Sequence, residues 1–98
     1  MKKNIFTRYV DAVCKIFDTT PSVLFSSKKH TFRDAKNLLM YLCLNRNIRQ
    51  SEIIEWIDEL YDVKTRRHDT KRILTYVEKM MNDDADYSRM VNEINNSI

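Results

Sequence analysis

Arg66-Arg67-His68-Asp69-Thr70-Lys71-Arg72 is the run of this 98-residue chain best equipped to read a polyanion. Arg and Lys donate bidentately to guanine O6 and N7, Asp accepts from cytosine N4, and Thr touches a thymine methyl. A second basic run, Lys28-Lys29-His30, and Lys36 beyond it offer cations of the kind that hold phosphate oxygens. Between the two runs the sign reverses, with Glu52, Glu55, Asp58, Glu59 and Asp62 and no cation from 50 to 63. The net charge of +3 therefore conceals +5 over 26–49, −5 over 50–63 and +4 over 64–77. Two basic blocks flanking an acidic one form the footprint of a nucleic-acid-binding face if folding joins the basic blocks. The acidic block repels phosphate, so it must face away from DNA, and it is the candidate surface for a protein partner.

Other chemistries have less to stand on. His30 lies in a basic run and His68 between Arg67 and Asp69, and neither has a nucleophile and an orienting group beside it. Consecutive helical residues point about 100° apart, so Arg67, His68 and Asp69 do not converge on one atom. No enzyme is expected. The chain has no glycine, which excludes phosphate-cradling loops of the P-loop and dinucleotide-binding types. Asp83-Asp84-Ala85-Asp86 lacks the Gly and the closing Glu of a calcium loop and reads as helix-capping acid. Cys14 and Cys43 have apolar neighbours and no Cys-x-x-Cys spacing, so buried thiols are expected, with no metal and no cofactor. No stretch is apolar enough to cross a membrane, and Arg8, Asp11 and Lys15 interrupt any secretory core. A cytoplasmic protein is expected, in the host cytoplasm if a phage encodes it.

The elements that must position these residues are helices. Ile5, Phe6, Tyr9, Val10, Val13, Ile16 and Phe17 recur at helical spacing over 5–17. Asp18 to Pro21 then leads into a short helical turn over Ser22 to Phe25, and 26–30 reads as a loop. From Thr31, a candidate N-cap, Phe32, Ala35, Leu38, Leu39, Leu42 and Cys43 mark a helix ending near Asn45 to Asn47. Ser51 is a candidate cap for a helix over about 51–61 with Ile53, Ile54, Trp56, Ile57, Leu60 and Tyr61. After a turn at Val63 to Thr65, either Thr65 or Asp69 caps a helix to about 81 built on Ile73, Leu74, Val77, Met80 and Met81. Residues 85–98 form a weaker amphipathic stretch. With no glycine, Asn and Asp must supply the left-handed turns. The expectation is an all-α bundle of four to five helices containing a helix-turn-helix, with 1–82 as its domain and 83–98 as a helical extension packed on or flanking it.

Leu24-Phe25-Ser26-Ser27-Lys28-Lys29-His30, followed by Phe32-Arg33-Asp34-Ala35-Lys36-Asn37-Leu38-Leu39-Met40-Tyr41-Leu42, resembles the C-terminal DNA-binding domain of the bacterial replication initiator DnaA. In that family a basic loop leads into a helix reading approximately I-V-x-A-R-Q-I-A-M-Y-L, to which Ala35, Met40, Tyr41 and Leu42 are identical. The resemblance runs from about Ile5 to Met81 and implies a Trp-repressor-like helix-turn-helix. It implies backbone and minor-groove contacts for the loop Lys28, Lys29 and His30, and a phosphate contact for Lys36. It also implies that Arg66, Arg67, His68, Asp69, Thr70, Lys71 and Arg72 open a recognition helix. With Ile73 on the motif's buried Val, His68 to Arg72 align with the family's Arg-Asp-His-Thr-Thr, and Asp69 is identical. The zero-glycine composition leaves no room for the family's ATPase domain. The implied function is a stand-alone double-stranded DNA-binding protein, a replication or transcription regulator of a phage or mobile element. A protein-interaction or virion structural module on the same fold is the alternative.

Overall fold

Leu38, Leu39, Leu42 and Cys43 are each at most 1% exposed, which puts the helix that carries them, α3 (Arg33–Leu44), at the centre of the molecule. The computed structural model describes residues 1–26 and 32–98. Among these, the other helices are α1 (Lys2–Ile16), α2 (Pro21–Ser26), α4 (Gln50–Tyr61), α5 (Thr70–Asp83) and α6 (Ala85–Ser97), and no strand occurs. The expected short turn is a full small helix, α2, and the weak C-terminal stretch is a regular one, α6, so the described residues form six helices rather than four or five. α1 and α5 make the broadest packing with α3, α4 rests on α2 and α3, and α6 packs along α5. The radius of gyration of 12.5 Å matches the ~13 Å of one packed domain of this length.

The core follows the apolar periodicity. Phe6, Val10, Val13, Leu24, Leu38, Leu42, Ile57, Ile73 and Val77 are buried, while Phe17 is half-buried at the edge. α6 adds Val91 and Ile94 to the same core. Two tilted ring pairs tie the helices that flank α3. Phe6 of α1 lies 5.6 Å from Trp56 of α4, and Phe25 of α2 lies 5.2 Å from Tyr61 of α4, centroid to centroid. Tyr9 is fully buried, and its hydroxyl donates to Asn95 Oδ1 (3.1 Å) and accepts from Arg46 Nη1 (3.2 Å), so α1, the end of α3 and α6 share one polar node. Cys14 and Cys43 are buried free thiols.

Helix ends show how a chain without glycine turns. Among the described residues, Asp18, Asn47 and Asp62 have positive φ (52°, 61° and 55°), after α1, α3 and α4. All are Asp or Asn, whose short polar side chains tolerate the left-handed region better than other non-glycine residues. One expectation about helix starts needs correction, and of the two candidate caps for α5 one is chosen. α4 begins at Gln50 with Arg49 as its cap residue, not at Ser51, because Glu52 Oε1 turns back to accept the Arg49 N–H (3.1 Å). α5 begins at Thr70 under an Asp69 cap, not at Thr65, because Asp69 Oδ1 accepts the Arg72 N–H (3.2 Å). The expected cap Thr31 lies outside the described residues.

Candidate nucleic-acid interface

Residues 62–69 carry no regular structure, so the connection between α4 and α5 is an eight-residue linker rather than a three-residue turn. Arg66, Arg67 and His68 consequently belong to the linker and not to a recognition helix. All three are exposed, as are Asp69, Thr70, Lys71 and Arg72. The linker is pinned at its C-terminal end by Gln50, the first residue of α4 and the only buried polar residue among the described ones. Gln50 Nε2 donates to the His68 carbonyl (2.9 Å) and to Thr70 Oγ1 (3.1 Å), and Gln50 Oε1 accepts the His68 N–H. One amide thus satisfies three groups on either side of Asp69, and the two helix N-termini are brought together.

Cations predominate at this end, and its two carboxylates, Asp69 and Glu52, both serve as helix caps. Lys71 and Arg72 lie in the first turn of α5, and Arg66 and Arg67 just precede it. The nearest acid, Asp69, is turned onto the backbone as a cap. Arg49, exposed and adjacent to Gln50, contributes a further cation at the same end. Neither Gln50 nor Arg49 was singled out from sequence. A glutamine one residue into an apolar helix resembles any solvated polar residue until its partner, 18 residues away, is known.

The second basic run is less fully in view. Lys28, Lys29 and His30 lie outside the described residues. Lys36 sits in α3, half-buried, and burial lowers the pKa of its ammonium below the ordinary lysine value.

The acidic block is divided by contacts within the chain. Glu52 caps α4, Glu59 Oε1 lies 2.6 Å from Lys3 Nζ, and Asp58 Oδ2 lies 3.6 Å from Lys64 Nζ. Asp62 is the left-handed residue that ends α4, and Glu55 is exposed on the helix. Among the described residues no group of three His, Cys, Asp or Glu side chains is placed to hold a metal ion, and no helix is long and apolar enough to cross a membrane. Comparison with protein-family models, with curated proteins and with solved structures finds no match to this chain.

Proposed function

We propose that this chain is a double-stranded DNA-binding module, related in design to the C-terminal domain of the replication initiator that its sequence resembles. One observation carries the reading: Arg66, Arg67, His68, Lys71 and Arg72 are all exposed around the start of α5, and the two carboxylates at this end, Asp69 and Glu52, are each turned onto a backbone N–H as caps. Cations gathered around a helix N-terminus lie at the positive end of the helix dipole, which a bound anion offsets, and a helix end of this kind accepts phosphate through its backbone N–H groups as well. The first turn of α5 then reads base edges through Lys71 and Arg72, while Arg66 and Arg67 hold the backbone. Gln50 fixes the angle between these two parts. Lys28, Lys29 and Lys36 add sequence-independent affinity. The acidic face of α4 is the candidate site for a protein partner of the same module, and a regulator of a phage or mobile element is the biological setting proposed.

Anisotropy measured on a labelled random duplex over a range of salt tests the reading. Log affinity should fall linearly with log salt, with a slope of about −0.9 per phosphate neutralised. Replacing Lys28, Lys29 and Lys36 together by Ala should make that slope shallower by about two to three. Lys71→Ala or Arg72→Ala should lose about 1–3 kcal/mol on a sequence selected from a random pool and much less on random DNA, whereas Arg67→Ala should weaken every duplex alike. Absence of salt-dependent binding to any duplex would end the DNA reading and favour the protein-interaction module.

A further inference from the structure

Thr70, the threonine of the basic run 66–72, spends its hydroxyl inside the chain, accepting from Gln50 Nε2 at 3.1 Å. Thr75, further along α5, is exposed and makes no side-chain hydrogen bond among the described residues. Lys71, Thr75 and Lys79 recur every four residues, and Arg72 and Tyr76 form a second row beside them. All five are exposed, while Ile73 and Val77 are buried on the other side of the helix. None of the ion pairs among the described residues involves Lys71, Arg72 or Lys79. The row from Lys71 to Lys79 rises about 12 Å, the length of about three to four base-pair steps.

Asp69, Lys71, Arg72, Thr75 and Tyr76 line a depression of about 430 Å³ on this face, to which Thr75 contributes the smallest side chain. Tyr76, although 38% exposed, is tethered, since its hydroxyl donates to Asp34 Oδ1 at 2.5 Å and so ties its ring to the start of α3. That hydrogen bond raises the Tyr76 phenol above its ordinary pKa and Arg33 opposes the rise, so a cation accompanies the carboxylate beside the ring. Glu78 is exposed too, about 160° around the helix from Tyr76. Its repulsion of phosphate turns a duplex toward the row of Arg72 and Tyr76. A short side chain between longer cations lets a helix approach base edges while the cations reach outward, and a threonine methyl packs on the C5-methyl that only thymine carries in the major groove.

We propose that Thr75 is a specificity-determining residue that reads a thymine through its methyl group, with the tethered Tyr76 ring as the second wall of that contact. The inference rests on the DNA reading and names one base contact within it. It replaces Thr70, whose hydroxyl belongs to Gln50, with a residue one face of α5 presents between Lys71 and Lys79.

The test uses the full chain and a labelled duplex selected from a random pool, in which each thymidine in turn is replaced by deoxyuridine, which pairs identically and lacks only the C5-methyl. At one position the replacement should weaken the unmodified protein about fourfold, the worth of one buried methyl group. Thr75→Ser keeps the hydroxyl and loses the methyl. It should weaken the parent duplex by the same factor and show no further loss with deoxyuridine at that position. Thr70→Ser, which keeps the hydroxyl that Gln50 holds, should leave the deoxyuridine penalty intact. An unselective pool, no position sensitive to deoxyuridine, losses from Thr75→Ser and deoxyuridine that multiply, or a penalty abolished by Thr70→Ser would each overturn this inference while salt-dependent binding still upheld the DNA reading. Absence of salt-dependent binding to any duplex would remove both.

Discussion

The side-chain amide of Gln50 occupies both backbone polar groups of His68, donating to its carbonyl and accepting from its N–H, across 18 residues of sequence. This is the pairing a neighbouring strand would offer, supplied by one side chain to an exposed linker. It makes the first residue of α4 the anchor for the approach to α5, and so sets where the cations around Thr70 stand relative to the bundle.

Gln50→Ala removes that anchor and leaves the partners of a buried amide unpaired. A loss of about 1–3 kcal/mol is expected in urea unfolding. Amide exchange should accelerate at His68 to Arg72 more than in α3, because the loosened segment is local. Uniform acceleration, or none, would show that Gln50 does not hold the linker.

Asp69 has two separable properties, an oxygen that caps α5 and a negative charge among cations. Asp69→Ala should destabilise the fold by about 1 kcal/mol. Asp69→Asn keeps the capping oxygen and removes the charge, so stability should change little. Affinity for random duplex DNA should rise, and an unchanged affinity would place Asp69 away from the phosphates.

Alkaline pH should weaken the fold in a defined window. Burial pushes the Cys43 thiol from its ordinary 9.0, and the Tyr87 phenol from 10.0, each to about 12. A group whose pKa is higher when folded holds its proton better in the native state, so its stabilisation is complete below the unfolded pKa and is lost as pH rises toward the folded one. Urea midpoints should therefore be flat with respect to these two groups below about pH 8 and fall from about 9 to 12. Cys43→Ala should remove the earliest part of the decline, and an identical pH profile in that variant would refute the assignment.

Asp62 sits at φ 55° as the C-cap of α4 and places a carboxylate at the negative end of that helix. Asp62→Gly relieves the left-handed backbone and removes an unfavourable charge, outweighing the entropy of the added glycine. A gain of about 1 kcal/mol is expected in thermal or urea unfolding. A loss would mean that the Asp62 carboxylate makes a compensating contact.

Periodicity and residue type alone established the helical class, since apolar residues at three- and four-residue spacing bury one face wherever the partner lies. They also marked Leu38, Leu42, Ile73 and Val77 as core, and Asp or Asn as the left-handed residues of a glycine-free chain. Asp69 was legible as one of two candidate caps. Tertiary structure chose it over Thr65, because Gln50 holds the backbone at His68 out of the helix while Asp69 closes on Arg72. The same long-range pairing moved Arg66, Arg67 and His68 from a helix into a linker. Lys3 claims Glu59 from 56 residues away, and Tyr76 claims Asp34 from 42. Neither pairing changes a local pattern, so neither could be read along the chain. Local sequence reports which face of a segment is apolar. Which polar side chains meet depends on how the helices cross, and only packing around α3 fixes that.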